Sequence, residues 1–392
     1  MKTELKNICD FVKDKIYISE ITADNYISTE NMLTNKCGIT ASSSLPKSEK
    51  VTAYRKDDVL VSNIRPYFKK IWFAVCDGGC SNDVLVFRAK NGISPEFLYY
   101  TLADDRFFDY AMKTSKGTKM PRGDKKAIME YIVSVPDYEI QKKTGYLLRL
   151  LDRKIELNNK INQNLEEQAQ AIFKSWFVYF EPFSGVMPDN WRIGKVSDIN
   201  ITVIDYVANG SFASLKANVT LYKEKNYAYF IRNTDLKSGT FNIFVDKHSY
   251  DFLAKSALHG GEIIISNVGD VGSVFLCPKL DLPMTLGNNI IMLKLDNQIF
   301  QYYLYIWFKW GQGQDYIQEI KGGSAQPKFN KTDFKNTPMQ IPSEKVLEKF
   351  YAISKTLFDE IAKNTSENEN LSALRDILIP ELINGETDIL KI

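Results

Sequence analysis

At 392 residues, 44% hydrophobic and 12% aromatic, the chain has length for two ordinary domains and apolar mass for real cores, which excludes a disordered tail. A formal net charge of +2 and pI of 8.0 fall short of a strongly basic stand-alone nucleic-acid binder. The opening MKTELKNICDFVKDKI lacks a leader's apolar core, no apolar run approaches the ~20 residues of a membrane span, and five scattered cysteines (Cys9, Cys37, Cys76, Cys80, Cys277) suit a reducing compartment, so a cytoplasmic protein without a membrane partner is expected.

In chain order, KDDVLVSNI, KKIWFAVC and NDVLVFRA read as strands, β-branched or aromatic and bounded by turn residues. Spacing of three and four in SPEFLYYTLADDRFFDYAMK predicts a shorter helix. A lysine- and arginine-bearing glycine turn, KTSKGTKMPRGDKK, follows, and Pro136-Asp137 supplies a stop and an N-cap for a long helix of about 36 residues. That helix ends in the linker FEPFSGVMPDNW (Phe180 to Trp191). The order then repeats: strands at GEIIISNV, GSVFLC and NNIIMLKL, a helix over NQIFQYYLYIWFKWGQGQDYIQEI, the turn EIKGGSAQPKFNK, Pro342-Ser343 and a second long helix.

The repeat is an internal duplication. The apolar seam Leu148, Leu151, Ile155, Asn158, Asn162, Leu165, Ala169, Ile172 keeps the three-four spacing of a coiled coil. At an offset of 206 residues, Leu357, Ile361, Asn364, Asn368, Leu371, Arg375 and Leu378 fall under the seven positions from Leu151 onward. Gly117, Thr118, Pro121 and Asp124 fall on Gly323, Ser324, Pro327 and Asn330 at the same offset, and DVLVSNIR matches EIIISNVG at 204. Polar residues at a seam cost stability and fix register. Antiparallel packing of the long helices would set Asn158 against Asn368 and Asn162 against Asn364, with the two blocks at opposite ends of a rod related by a pseudo-twofold axis.

Two similar blocks at fixed spacing suit double-stranded DNA, whose half-sites on one face recur every ~34 to 36 Å. Candidate contacts are Lys116, Gly117, Thr118, Lys119 and Arg122 in the first glycine turn, with Lys113, Lys125 and Lys126 nearby; Arg65, Tyr67, Lys69 and Lys70 in SNIRPYFKK; and Lys321, Gly323, Ser324, Gln326 and Lys328 in the second turn, near Lys331. Backbone amides at glycine turns, lysines and hydroxyls suit phosphate. A charge run also fits a plain solvated loop, and recurrence of the turn leaves both readings open.

Catalytic patterns are missing. There is no Walker A sequence, no HExxH, no Asn/Asp-Pro-Pro-Tyr/Phe element, and only His248 and His259. GQGQ (Gly311 to Gln314) reads as a turn, and Cys76 and Cys80 read as structural thiols, not metal ligands. No cofactor, no metal and no catalysis by the chain alone are expected.

The order block, LDRKIELNNKINQNLEEQAQAIFKSWFVYF, block, LSALRDILIPELINGE closely resembles the specificity subunit of type I restriction-modification systems along the whole chain. YFIRNTDL, GGEIIISNVGDVGSV and GGSAQPKFNKTDF resemble that family's recognition-domain signatures, while KGTKMPRGD departs from its usual GSxQ wording. The resemblance implies an α+β fold with two tandem target-recognition domains, residues 1–137 and 182–342, and helical regions at 138–181 and 343–392. It further implies a non-catalytic DNA reader. Each domain would read half of a split target while the helices set the gap and dock two methyltransferase subunits, which bring S-adenosylmethionine; motor-nuclease subunits are further partners. Phe173, Trp176, Phe177 and Phe180 would pack on a recognition domain or form a methyltransferase docking face. The competing reading is a duplicated coiled-coil adaptor holding two protein clients without DNA.

Overall fold

Val59–Ser62 and Val84–Ala89, almost wholly apolar, pair antiparallel at the centre of a four-stranded sheet flanked by Cys9–Phe11 and Ile71–Phe73. A second four-stranded sheet orders Lys15–Tyr17, Lys50–Tyr54, Gly78–Cys80 and Tyr26–Ile27, the last pair parallel. The computed structural model describes residues 2–323 and 326–384. The chain divides into two compact units, one drawn from Met1–Asn159 and Thr365–Ile392, the other Lys160–Asn364.

In the first unit the strands lead into helices α1 (Pro95–Ala103) and α2 (Asp105–Lys113). One continuous helix was expected here, because apolar spacing runs straight through. Asp104 instead adopts an extended backbone and its carboxylate accepts the Arg106 amide at 2.9 Å, ending α1 and capping α2. After a short helical turn at Lys125–Met129, the long helix α3 (Tyr138–Phe177) is 40 residues long and begins directly after Pro136-Asp137. Lys2–Glu4 pairs antiparallel with Ile132–Ser134, so the block's two ends meet.

The second unit repeats this plan. Ile263–Ser266 and Ile290–Leu295 are central in one sheet with Ile201–Asp205 and Val274–Leu276 outside; the other sheet again holds one parallel pair, Ala228–Ile231 with Met284–Leu286. Helices α4 (Gln301–Trp310) and α5 (Gln312–Glu319) break at Gly311, whose extended backbone separates them. GQGQ is therefore no free turn: Gln312, Gly313 and Gln314 open α5, because Gly313 packs where an added Cβ would lie 2.7 Å from the Trp307 ring. Arg192–Lys195 pairs with Pro338–Ile341, and α6 (Glu344–Ile383) follows for 40 residues.

Each long helix contributes to both cores. In the first unit Leu148 of α3 and Ile379, Leu382 and Ile383 of α6 are buried with Val59, Val61, Phe87, Phe97, Tyr100 and Phe107. In the second, Ala169, Phe173 and Phe177 of α3 and Leu347, Phe350 and Phe358 of α6 are buried with Ile263, Ile265, Tyr303 and Phe308. Phe177 lies 4.9 Å from both Tyr303 and Phe350 by ring centroid. Fully burying one such ring is worth about 1.5–3 kcal/mol. Thus the aromatic run of α3 packs on the block, with Trp176 and Phe180 half-buried at the edge of the same cluster.

Within the first unit α3 and α6 run antiparallel: Asp152 meets Arg375, and Asn158 donates from Nδ2 to Asn368 Oδ1 at 2.9 Å. In the second, Asn364 donates to Asn162 Oδ1 at 2.9 Å. Both asparagine pairs expected from the seam are hydrogen-bonded.

Candidate nucleic-acid interface

In the first unit, the chain leaves the strand Val59–Ser62 through Asn63, Ile64 and Arg65 and is met there by the glycine turn. Lys116 and Arg122 exchange both backbone hydrogen bonds at 2.9 Å, with Gly117 between them at φ 92°. The Arg65 amide donates to the Pro121 carbonyl at 2.8 Å, and the Gly123 amide to the Asn63 carbonyl at 3.2 Å. A left-handed residue is needed to close so tight a turn, and glycine adopts it without strain.

The second unit builds the same loop pair. Gly322 and Lys328 exchange both bonds at 2.9 Å around Gly323 at φ 89°; Gly269 donates to the Pro327 carbonyl at 2.8 Å, and Phe329 to the Asn267 carbonyl at 3.1 Å. Equal backbone bonding at equivalent positions shows that the duplicated segments share a geometry as well as a spelling. Asn63 and Asn267, equivalent residues beneath the loops, share a further feature: each has a buried side-chain Oδ1 without a partner. Sequence reasoning missed them, although the repeated Ser-Asn of LVSNIR and IISNVG carried the signal.

The candidate side chains divide by how they are held. Lys119, Thr118 and Gly117 are exposed at the turn. Lys116 is paired with Asp124 at 2.6 Å and Arg122 with Asp83 at 3.1 Å. The Lys116 hydrogen bond, aided by the Ala127 and Lys126 amides, holds the Asp124 carboxyl below its ordinary range. Arg65 is half-buried, left-handed at φ 50°, with an unpartnered Nε. Tyr67 is exposed beside Phe68. Lys69 and Lys70 turn inward, to Asp105 at 2.7 Å and to the Thr29 carbonyl at 2.7 Å, and burial pushes the Lys70 ammonium down.

In the second unit Gly323, Gln326 and Lys328 are exposed, and Lys321 donates to Gln318 at 2.7 Å; Ser324 lies outside the described residues. Close to Gly269 stands an acidic centre that the sequence did not single out. Asp270 accepts from Lys237, Ser273 (2.7 Å) and Asn233 (3.0 Å), which together hold its carboxyl at about 2. Among the described residues no cluster of three or more His, Cys, Asp or Glu could hold a metal ion, and no helix is long and apolar enough to cross a membrane.

A family model described as the type I restriction modification DNA specificity domain matches residues 1–167 and again 188–373, one segment for each half of the duplication. The chain belongs to this family. The specificity subunit of the type I restriction enzyme HindI of Haemophilus influenzae is 25% identical, with 92% of this chain and 94% of that protein covered. That of MjaIX from Methanocaldococcus jannaschii is 26% identical over 76% of this chain and 70% of its own length. The crystal structure of a type I restriction-modification S subunit from M. genitalium shares the fold at a TM-score of 0.58, 15% identity and coverage of 98% and 96%. The α+β fold and the assignment to DNA sequence specificity thus follow from the family.

Proposed function

We propose that the chain is the non-catalytic subunit that reads DNA for a type I restriction-modification complex, each block recognising one half of a bipartite target. The twofold construction of the hydrogen-bonded glycine turn carries this reading: a loop with exposed amides and lysines, made once per block, suits one half-site per block. We assign the recognition domains to 1–137 and 182–342, the helical regions to 138–181 and 343–392, and the cytoplasm as the compartment where this DNA lies. DNA contacts are drawn from the fourteen positions named from the sequence, led by those left exposed at the turns, Gly117, Thr118, Lys119, Gly323, Gln326 and Lys328, while Lys69 and Lys70, held by Asp105 and the Thr29 carbonyl, come last.

The helices supply the gap and a docking face for two methyltransferase subunits, with motor-nuclease subunits as further partners. Tyr146, Leu150 and Leu157, spaced four and seven apart, form one apolar stripe on α3, and Leu374 and Ile377 another on α6, all more than 40% exposed in the first unit. S-adenosylmethionine and base flipping belong to the methyltransferase.

Mapping methylated adenines in a host carrying the complete system tests the reading. A two-part motif with a fixed gap is expected, together with salt-sensitive binding by the complex. Methyl transfer by the isolated chain would overturn the non-catalytic role, and a complex indifferent to DNA would return the adaptor.

A further inference from the structure

In the first unit Lys36 lies in left-handed backbone (φ 62°) and is only 7% exposed. Its amide donates to the Lys69 carbonyl at 3.0 Å, and its ammonium reaches Asp105 at 3.1 Å and Asp376 at 3.0 Å. Lys69, also left-handed at φ 49°, takes the other oxygen of Asp105. Burial pushes Asp105 up, but the Lys69 hydrogen bond and the Lys36 charge outweigh it and leave the carboxyl below its ordinary range.

The network continues into both long helices. Asp376 accepts from Arg375 Nε at 3.1 Å and Nη2 at 3.0 Å; Arg375 Nη1 donates to Asp152 at 2.8 Å; and the Tyr100 hydroxyl donates to the other Asp152 oxygen at 2.6 Å. A nearly dry ammonium is tolerable only with its carboxylates in place, so the arrangement has one geometry. Charge-assisted bonds are also short and directional.

The second unit anchors its block differently. At the 206-residue offset Phe358 replaces Asp152 and Ala169 replaces Arg375. Phe358 stacks on Tyr302 at 5.0 Å and 4° and meets Tyr305 edge-on at 5.3 Å. Dispersion contacts of this kind are individually weak and less demanding of a single alignment.

We propose that Lys36 is a positioning residue for sequence reading: by bridging Asp105 of the block to Asp376 of α6, it fixes the angle at which the first block presents its loops from the helix pair. The inference rests on the two-half reading above. The second unit has one block-to-helix ion pair, Lys309 with Glu166 of α3, but it is longer at 3.4 Å, joins a single carboxylate and leaves the lysine more exposed, whereas Lys36 is buried between two carboxylates.

The test uses the full complex with its methyltransferase subunits and duplexes carrying both mapped half-sites at the preferred gap and at gaps one base pair shorter or longer. Lys36→Met and Asp376→Asn are expected to lose discrimination among the gaps, while Lys36→Arg, which keeps the cation, retains it. Asp376→Asn leaves the Lys36–Asp105 pair intact and so carries the test if Lys36→Met fails to fold. Equal weakening on all three gaps, with their ratios kept, would show a merely structural role and overturn the inference while leaving the two-half reading standing. Wild-type complex that itself ignores the gap would overturn that reading, and the inference with it.

Discussion

Asn158 donates to Asn368 at 2.9 Å and to Glu367 at 2.8 Å, yet its own side-chain oxygen is buried and accepts nothing. The residue is therefore half satisfied. Asn368 keeps a second partner, donating to Asn159 at 2.8 Å. Replacing Asn158 with leucine removes the orphaned oxygen along with the two bonds, and we expect stability to stay within about 1 kcal/mol of wild type. Denaturant unfolding checks it; a loss above about 3 kcal/mol would mean that the pair is a principal support.

The opposite holds at Arg375, 6% exposed between α3 and α6. Arg375→Met leaves the buried Asp152 carboxylate with the Tyr100 hydroxyl alone and should cost about 3–5 kcal/mol. Adding Asp152→Leu should recover most of that loss, since the stranded charge is then gone. A double variant no better than the single one would locate the cost elsewhere.

The two turn glycines should differ in sensitivity. An added Cβ at Gly323 would lie 2.8 Å from the Gln326 carbonyl oxygen, against 3.3 Å between Gly117 and the Met120 carbonyl. Both positions have positive φ, for which a side chain costs roughly 1–2 kcal/mol. Alanine at either should weaken DNA binding by the complex, and Gly323→Ala the more; the reverse order in titrations would contradict the loop geometry.

Salt dependence separates the lysines of the first turn. Lys119 is exposed, whereas Lys116 already sits on Asp124. Lys119→Ala should flatten the slope of log affinity against log salt by up to about 0.9, the value of one phosphate contact. Lys116→Ala should change it less. Identical slopes for the two variants would show that Asp124 releases Lys116 to the DNA.

Asp270 gives the second unit an acid-sensitive contact. Its folded carboxyl is held at about 2, below the ordinary 3.8, so its contribution is complete above 3.8 and disappears as pH falls to about 2. Melting temperatures of wild type and Asp270→Asn should differ at neutral pH and converge near pH 2. Parallel curves would mean that Lys237, Ser273 and Asn233 do not stabilise the charge.

The duplication and the asparagine seam could be read directly, because polar residues interrupting a three-four spacing at the same two places are a strong pattern even in one sequence. The break at Asp104 could not: the apolar spacing continues across it, and only the capping bond to Arg106 distinguishes two helices from one. Nor could the inward turn of Lys69 and Lys70, which looked like surface cations in SNIRPYFKK. Lys36 drew no notice because its partners stand 69 and 340 residues away along the chain. Local pattern reveals elements and repeats, while the pairing of buried charges is decided by tertiary neighbours.

Lys2–Glu4 lies beside Ile132–Ser134, and Arg192–Lys195 beside Pro338–Ile341. Each block thus enters and leaves through adjacent strands, like a cassette with both connectors on one edge. A recombination event with crossovers near those strands can exchange an entire block and leave the sequence of the long helices untouched. On the proposed reading, a changed half-site is then one exchange away. The limit on that traffic is chemical: an incoming first block must bring its own equivalents of Lys36 and Tyr100 to meet the charges waiting on the helices.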